Sequence, residues 1–358
     1  MSIIIAGVSM MLIINSSWKE SAMRAITYDQ HGEAGQVLRL SEQPAPAAPA
    51  AGQVQVRVLS RPIHPGDLAG VEGLAGGPRQ RFATPRIPGV EGMGVIETVG
   101  EGVQDLRPGQ RVVFFPVPGA WSELITAPTD LVVPVPEDLS DETAALMLVN
   151  PLTLLSLLGA VEDAQHGQAG PVVQTAAGSA VGKLVSAAAL KHGIPLVNLV
   201  RSATGAQTLR QRFPGLPTIS TADADWRTQV QDATGGRGAQ VVLDAVGGSL
   251  TGELAGLLAD GGTLITYGGL GSGSTPLESL ALTPRALTVR GTSIFHWMAA
   301  RTPEERAEDV AFAAHLAATA PELFEVAAGY DLADFAKAID HVRRPGKSGT
   351  VLLTSPAP

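Results

Sequence analysis

The chain has 358 residues, enough for two domains of ordinary size and a well-buried core. Hydrophobic residues make up 45% and aromatics only 4%, with 41 glycines and 26 prolines, a composition that describes a turn-rich α/β protein and excludes a disordered or membrane one. A net charge of −9 argues against nucleic acid or an anionic membrane as a partner, and the absence of cysteine excludes disulfides, iron–sulfur clusters, thiolate zinc sites and cysteine nucleophiles.

In chain order, Ile3–Ile14 is an apolar run too short to span a bilayer, and no basic residue precedes it as a secretory signal requires. Met23–Tyr28 reads as a more ordinary beginning that runs directly into a strand. Residues 1–22 are therefore expected to be a mis-assigned start or a disordered or swapped leader rather than a targeting signal, with cytoplasmic residence as the default. Short runs at Val37–Leu40, Val54–Ser60, Gly94–Gly100, Arg111–Pro116, Ser122–Ala127 and Leu131–Val135, bounded by Gly or Pro, predict a β-rich, barrel-like domain. Asn150–Leu158 predicts the helix that leads out of it.

A strand–turn–helix–strand unit then follows. Val172–Thr175 is a buried strand, Ala176–Gly182 a small-residue turn, Lys183–His192 a helix and Leu196–Val200 a second buried strand. The turn spells A-A-G-S-A-V-G, and Gly178, Ser179, Ala180, Val181 and Gly182 leave room for a pyrophosphate to approach the backbone N–H groups at the helix N-terminus. The alternative for such a turn is packing of helix on sheet with no ligand. About 20 residues on, where an acidic residue holds the ribose of a non-phosphorylated dinucleotide, this chain has Arg201 and Ser202. A guanidinium cannot accept a hydrogen bond from a hydroxyl, but it forks onto a 2′-phosphate, so the expected cofactor is NADPH rather than NADH. The alternative for Arg201 is a surface charge. Strands at Val241–Asp244, Thr263–Tyr267 and Leu287–Gly291, with a helix at Leu250–Leu258, continue a parallel sheet. Helices at Glu304–Ala318 and Leu332–Val342 and a strand at Val351–Leu353, expected to rejoin the first domain, complete the chain.

The ordered series of motifs resembles the medium-chain dehydrogenase/reductase superfamily over Met23–Ser355, and within it the zinc-independent branch of quinone reductases and trans-2-enoyl-thioester reductases. The resemblance is carried by His64-Pro65-Gly66-Asp67, Pro88-Gly89-Val90-Glu91-Gly92, Gly119-Ala120-Trp121, Val149-Asn150-Pro151-Leu152-Thr153, the glycine turn with Asn198–Arg201, Asp244–Gly248, Thr266–Gly269 and Trp297. It implies a GroES-like catalytic domain over 23–149 and 300–358, a Rossmann domain with a doubly wound parallel sheet over 150–299, a cleft between them, and commonly a homodimer.

The resemblance also assigns candidate residues. His64 stands where the family has an Asn beside the nicotinamide, and its imidazole can donate a proton or a hydrogen bond; Asp67 is expected to orient that loop. Asn150 and Thr153 belong to the segment that meets the cofactor, with helix capping as the alternative for the threonine. Tyr267, Gly268 and Gly269 follow a strand at its carboxyl end, where parallel sheets bind ligands. Phe295, His296 and Trp297 are expected to line the cofactor and acceptor pocket, or else to pack a dimer. Lys347 resembles a C-terminal loop residue near the cofactor phosphate, with an exposed lysine as the alternative.

No metal is expected. Zinc-dependent members carry a Gly-His-Glu motif, which reads Gly89-Val90-Glu91 in this chain, so Glu91 is expected to be a hydrogen-bonding residue under the active-site loop. Hydride donation without a Lewis acid requires an electron-poor acceptor, such as a quinone or conjugated alkene. The enoyl-reductase subgroup places a proton-donating Tyr shortly after the Asn-Pro-x-Asp segment, but the stretch Gly70–Gly77 has none, and no Tyr occurs between Tyr28 and Tyr267. The expectation is thus a small electrophilic substrate, a quinone or α,β-unsaturated carbonyl, ahead of an acyl thioester. Arg79 and Arg81 on the Gly73–Phe82 loop fit either an anionic substrate or a plain surface. The remaining alternatives are an enoyl-thioester reductase with an unusual proton donor such as His64, and an NADPH-binding regulatory protein without catalysis.

Overall fold

The computed structural model describes residues 22–74, 78–167, 169–271 and 273–357, so the expected leader lies, but for its last residue, outside the described residues. In chain order the first half runs β1 (Ala22–Gln30), α1 (Ala34–Val37), β2 (Arg39–Pro44), β3 (Gln53–Pro62), α2 (Pro65–Glu72), β4 (Arg81–Arg86), β5 (Gly92–Val99), β6 (Arg111–Phe114), β7 (Leu124–Pro128), β8 (Val132–Pro134), α3 (Asp141–Ala144) and α4 (Val149–Gln165). The second half runs β9 (Val172–Gln174), α5 (Ala180–His192), β10 (Leu196–Val200), α6 (Ala203–Arg212), β11 (Thr218–Ser220), α7 (Trp226–Ala233), β12 (Ala239–Asp244), α8 (Ser249–Gly256), β13 (Leu258–Thr266), α9 (Ser279–Leu282), β14 (Thr288–Gly291), α10 (Ile294–Ala300) and α11 (Pro303–Thr319), then β15 (Val326–Asp331), α12 (Phe335–Arg343) and β16 (Thr350–Thr354).

Strands β9 to β14 form one parallel sheet in the spatial order β11-β10-β9-β12-β13-β14, the doubly wound arrangement the sequence implied. Its strands are apolar throughout because both faces are covered. In β12, Val241 and Leu243 join the cluster under α4 and α5, while Val242 joins the cluster under α7 and α8. The chain then returns, as expected, to the antiparallel sheet: β16 pairs with β3, and β15 extends that sheet in the order β15-β16-β3-β5-β6-β8. Helix α11 packs on α4 before this return.

One buried cation secures the return. Arg61 is fully buried, and its guanidinium donates to the carbonyls of Val58, Ala120, Ser122 and Leu353 and to the Ser355 hydroxyl. Acceptors at Nε, Nη1 and Nη2 hold this one guanidinium and fasten β16 against β3. No helix among the described residues is long and apolar enough to cross a membrane.

Several boundaries differ from the sequence reading. The expected strand at Val37–Leu40 is a helical turn ending at Val37, and the strand begins at Arg39. Part of the expected Gly73–Phe82 loop is strand β4, which is exposed along nearly its whole length and therefore lacks the apolar alternation that marks a strand. In it, Arg81 pairs with Asp29 and Arg86 lies over the Phe82 ring. Helix α2 was hidden because Gly66 and Gly70 lower its helix propensity; Pro65 at its first position starts it.

The turn between β9 and α5 separates two glycines by function. A Cβ on Gly182 would sit 2.6 Å from the Ala176 carbonyl oxygen and 2.7 Å from the Ala177 Cα, whereas one on Gly178 would meet nothing within 4 Å. Gly182→Ala should therefore lower unfolding free energy by about 1–3 kcal/mol in urea titrations, and Gly178→Ala should leave it unchanged. Equal effects at the two positions would contradict the packing role of Gly182.

Candidate active site

Glu91, in the turn that enters β5, is buried to 1% side-chain exposure and binds in two directions. Oε1 accepts the N–H of Leu148 at 3.0 Å and of Val149 at 2.8 Å, the groups at the N-terminus of α4 that have no intrahelical acceptor. Oε2 lies 2.6 Å from Nε2 of His64, the residue that precedes α2 and whose side chain is 13% exposed. The hydrogen-bonding role expected of Glu91 is what the structure shows. Asp67, one turn into α2, accepts the His64 backbone N–H at 2.9 Å. Burial disfavours a charged His64, but the hydrogen bond and charge of Glu91, with the charge of Asp67, outweigh it and hold the imidazole above its ordinary pKa. Burial pushes Asp67 up to about 6 against the opposing pull of His64.

A cavity of about 550 Å³ opens at the carboxyl ends of β13 and β14. Thr266, Tyr267 and Gly268 form one wall, Gly291, Thr292, Ser293 and His296 another, and Leu74, just beyond α2, closes it from the first half of the chain. Gly268 is required there, since a Cβ would meet the Ala245 carbonyl oxygen at 2.8 Å; Gly269 faces open space. The Tyr267 hydroxyl is buried without a partner, and burial, followed by the charge of Asp244, pushes its pKa up, so the phenol stays neutral. Asp244 itself is fully buried. Its carboxylate accepts from the Thr175 and Thr251 hydroxyls and from the Val246 and Gly247 N–H groups, and the carbonyls of Ala245 and Val246 in turn hold Leu270 and Gly271. The sequence shows Asp244 only as part of a motif; its hold on the loop after β12 depends on Thr175, 69 positions away along the chain, and on Thr251 of α8.

Ser179 caps α5 by accepting the Gly182 N–H at 3.1 Å, and Ala180 and Val181 begin the helix, so their N–H groups face outward beside the open side of Gly178. Arg201 is exposed just past the end of β10, and Ser202 uses its hydroxyl to cap α6 through the Gly205 N–H. Lys347 is half-buried with its ammonium on the Gly349 carbonyl, and burial, with repulsion from Lys183, lowers its pKa. Lys183 joins the parallel-sheet half to the segment before β15. It follows Gly182 directly, is 6% exposed, and binds Glu325 and Ser348, while Arg212 binds the same Glu325. Burial and Arg212 lower Lys183 to about 8.

The three aromatic candidates separate. They lie on helix α10, and among them only His296 lines the cavity. Phe295 is 50% exposed and meets the Phe115 ring at a centroid distance of 5.8 Å. Trp297 turns away, donating to Asp309 under the Arg301 guanidinium and packing against Gly159 of α4. Asn150 is buried at the start of α4, and the Thr153 hydroxyl donates back to the Val149 carbonyl at 2.7 Å, so it does not cap the helix N–H groups. His64 and Asp67 are not among the residues lining the cavity.

The family described as alcohol dehydrogenase GroES-like domain matches residues 50–137, and the one described as zinc-binding dehydrogenase matches residues 180–314. A mitochondrial enoyl-[acyl-carrier-protein] reductase of Xenopus tropicalis is 32% identical over 295 residues, covering 81% of this chain and 82% of that protein. The chain belongs to the medium-chain dehydrogenase/reductase superfamily. Among solved members, Escherichia coli quinone oxidoreductase complexed with NADPH superposes with a TM-score of 0.80 at 26% identity, over 93% of this chain and all 100% of that one. A Pseudomonas syringae quinone oxidoreductase does so at 0.78 and 26%, over 94% and 100%.

Superfamily membership raises two groups whose fit can be tested on the residues. A catalytic zinc does not fit. The chain has no thiolate, Glu91 is committed to two backbone N–H groups and an imidazole, and among the described residues no three His, Asp or Glu side chains converge to hold a metal. A phosphorylated dinucleotide fits: outward N–H groups at the start of α5, an open face at Gly178, and an exposed arginine past β10 are the donor set its phosphates need.

Proposed function

We propose that the protein is a zinc-free, NADPH-dependent reductase that transfers hydride to a quinone or an α,β-unsaturated carbonyl compound. The observation that carries this reading is the cavity at the carboxyl ends of β13 and β14, walled by Tyr267 and Gly268 on the sheet side and His296 of α10 and closed by Leu74 from the first half. It lies at the end of a parallel sheet where such folds bind ligands, and its lining has room for a flat electrophile. NADPH, when bound, supplies the hydride. The chain's own residues bind, orient and protonate. Gly178–Gly182 receive the pyrophosphate, Arg201 with Ser202 the 2′-phosphate and Lys347 a further phosphate oxygen. Asn150, Thr153, Tyr267–Gly269 and the Phe295–Trp297 segment flank the nicotinamide half, and among these Trp297 acts by seating α10 on α4. His64, oriented through Asp67, donates the proton that follows hydride arrival. We divide the chain at 23–149 with 300–358 against 150–299, with α11 leaning across onto α4, and place the protein in the cytoplasm.

A second reading is favoured by the 32% identical relative, an enoyl-[acyl-carrier-protein] reductase: the acceptor is then a 2-enoyl thioester, with His64 in place of the tyrosine that Gly70–Gly77 lacks. Stopped-flow loss of NADPH absorbance against 1,4-quinones, small enones and short 2-enoyl-CoA separates the two. Turnover with quinones or enones and little with the thioester supports the main reading, the reverse pattern supports the second, and tight NADPH binding with no turnover sinks both. His64→Ala should slow the active acceptor by about 10²-fold; an unchanged rate removes His64 from the mechanism.

Cofactor choice is tested separately. Arg201→Ala should weaken NADPH by tenfold or more, about 1.4 kcal/mol, and leave NADH nearly unaffected in fluorescence titrations, whereas equal weakening would dismiss the 2′-phosphate role.

A homodimer belongs to the same proposal. Strand β14 is the outer strand of the parallel sheet, and Leu270 at 53%, Leu280 at 85% and Phe295 at 50% exposure lie in the segments around it. Light scattering should return twice the chain mass, and Leu280→Asp should halve it; a wild-type monomer at micromolar concentration would end this part of the reading.

A further inference from the structure

Lys183 follows the glycine turn directly and lies in the opening turn of α5. Helical side chains tilt toward the N-terminus, so its ammonium stands at the end of the helix that the small-residue turn enters. A cation there opposes the helix dipole, and a carboxylate from outside the parallel sheet meets it. Lys183 Nζ donates to Glu325 Oε2 at 2.5 Å and to the Ser348 hydroxyl at 2.9 Å, and that hydroxyl donates to the same Oε2 at 2.7 Å. Arg212, at the end of α6, binds the other oxygen of Glu325. The main chain adds to this ring. The Glu325 carbonyl accepts the Thr350 N–H at 2.7 Å. Gly349 has a φ of +79° and approaches so closely that a Cβ would meet the Glu325 carbonyl oxygen at 2.9 Å. The 345–349 loop is thus fastened to Glu325, and Glu325 to α5 and α6. Lys347, in the middle of that loop, donates to the Gly349 carbonyl, a neutral acceptor, so its charge is still available to an anion. Burial and then repulsion from Lys183 lower its pKa, as two neighbouring ammoniums require.

We propose that Lys183, Glu325 and Ser348 are positioning residues that clasp the 345–349 loop against the start of α5, so that Lys347 is in place for a phosphate oxygen before the dinucleotide arrives. This role rests on the reductase reading, which puts Lys347 on that oxygen. A loop already fixed loses little freedom on binding, so the clasp acts on affinity. It should act alike on NADPH and NADH, since both carry the pyrophosphate, whereas Arg201 is expected to separate them.

Fluorescence titration of the full chain with both dinucleotides tests the clasp through a double-mutant cycle. Lys347→Met should weaken NADPH and NADH alike by about tenfold. Lys183→Met, which leaves Glu325 paired with Arg212, should weaken both by about fivefold. The double variant should be no more than about twofold weaker than Lys347→Met alone, because a clasp has nothing to position once the ammonium is gone. Lys183→Arg, which keeps a donor on Glu325, should restore most of the affinity. If Lys183→Met fails to fold, Ser348→Ala replaces it in the cycle. That change breaks the ring yet leaves Lys183, Arg212 and Glu325 paired, and its expected loss is about threefold. Losses that multiply in the double variant overturn the proposal, as does a weakened Lys347→Met beside unchanged Lys183→Met and Ser348→Ala; the Lys347 contact survives both results. A silent Lys347→Met removes that contact from the reductase reading and the clasp with it. None of these titrations needs an acceptor, so an absence of turnover across the panel defeats the reductase reading without altering them.

Discussion

One buried carboxylate ties three distant segments of this protein together. Glu91 sits where zinc-dependent relatives place the end of a Gly-His-Glu motif, and it spans from the N-terminus of α4 to the imidazole before α2. A carboxylate in a nearly solvent-free site is tolerable only with its lone pairs occupied and a positive partner at hand. The helix N-terminus offers two N–H donors and the positive end of a dipole, and the His64 imidazole meets the other oxygen. Removing either side leaves lone pairs of a buried carboxylate without donors, which is costly. The arrangement therefore pins α2, the turn before β5 and α4 to one another, and the cavity that Leu74 closes inherits its shape from that junction.

Other cross-chain polar contacts reinforce it. Arg61 gathers carbonyls from β3, the Ala120–Ser122 segment and β16, so the last strand cannot leave the antiparallel sheet without stranding a buried guanidinium. Lys183 and Arg212 of the parallel-sheet half share Glu325, which stands just before β15. Asp244 does the same work within the parallel sheet, holding the loop after β12 beside the cavity. Each is a charge whose desolvation is offset by several hydrogen bonds, and each fixes a loop or strand at the margin of the proposed site.

What was legible in the amino-acid order was whatever depends on neighbours along the chain. Apolar runs buried on both faces identified β9, β10, β12 and β13, and the small-residue turn before α5 announced itself through Gly178 and Gly182. Strand β4 escaped because an exposed edge carries no apolar alternation, and β11 because Thr218-Ile219-Ser220 is not an apolar run. The aromatic trio was read as one lining cluster, yet successive residues on a helix point about 100° apart, so only His296 reaches the cavity while Trp297 turns to α4 and α11.

The sequence by itself determined the superfamily, the doubly wound sheet, the small-residue turn before α5 with Arg201 beyond β10, and the lack of any thiolate for zinc. Those follow from local periodicity, from residue chemistry and from the order of motifs, none of which requires knowing what lies across the molecule. Only the tertiary structure decided that Glu91 joins His64 to α4, that Lys183 faces Glu325 and that Asp244 binds Thr175. These partners are separated by 27, 57 and as many as 142 positions along the chain, and a buried charge selects its partner by distance in space, which sequence spacing of that length does not encode.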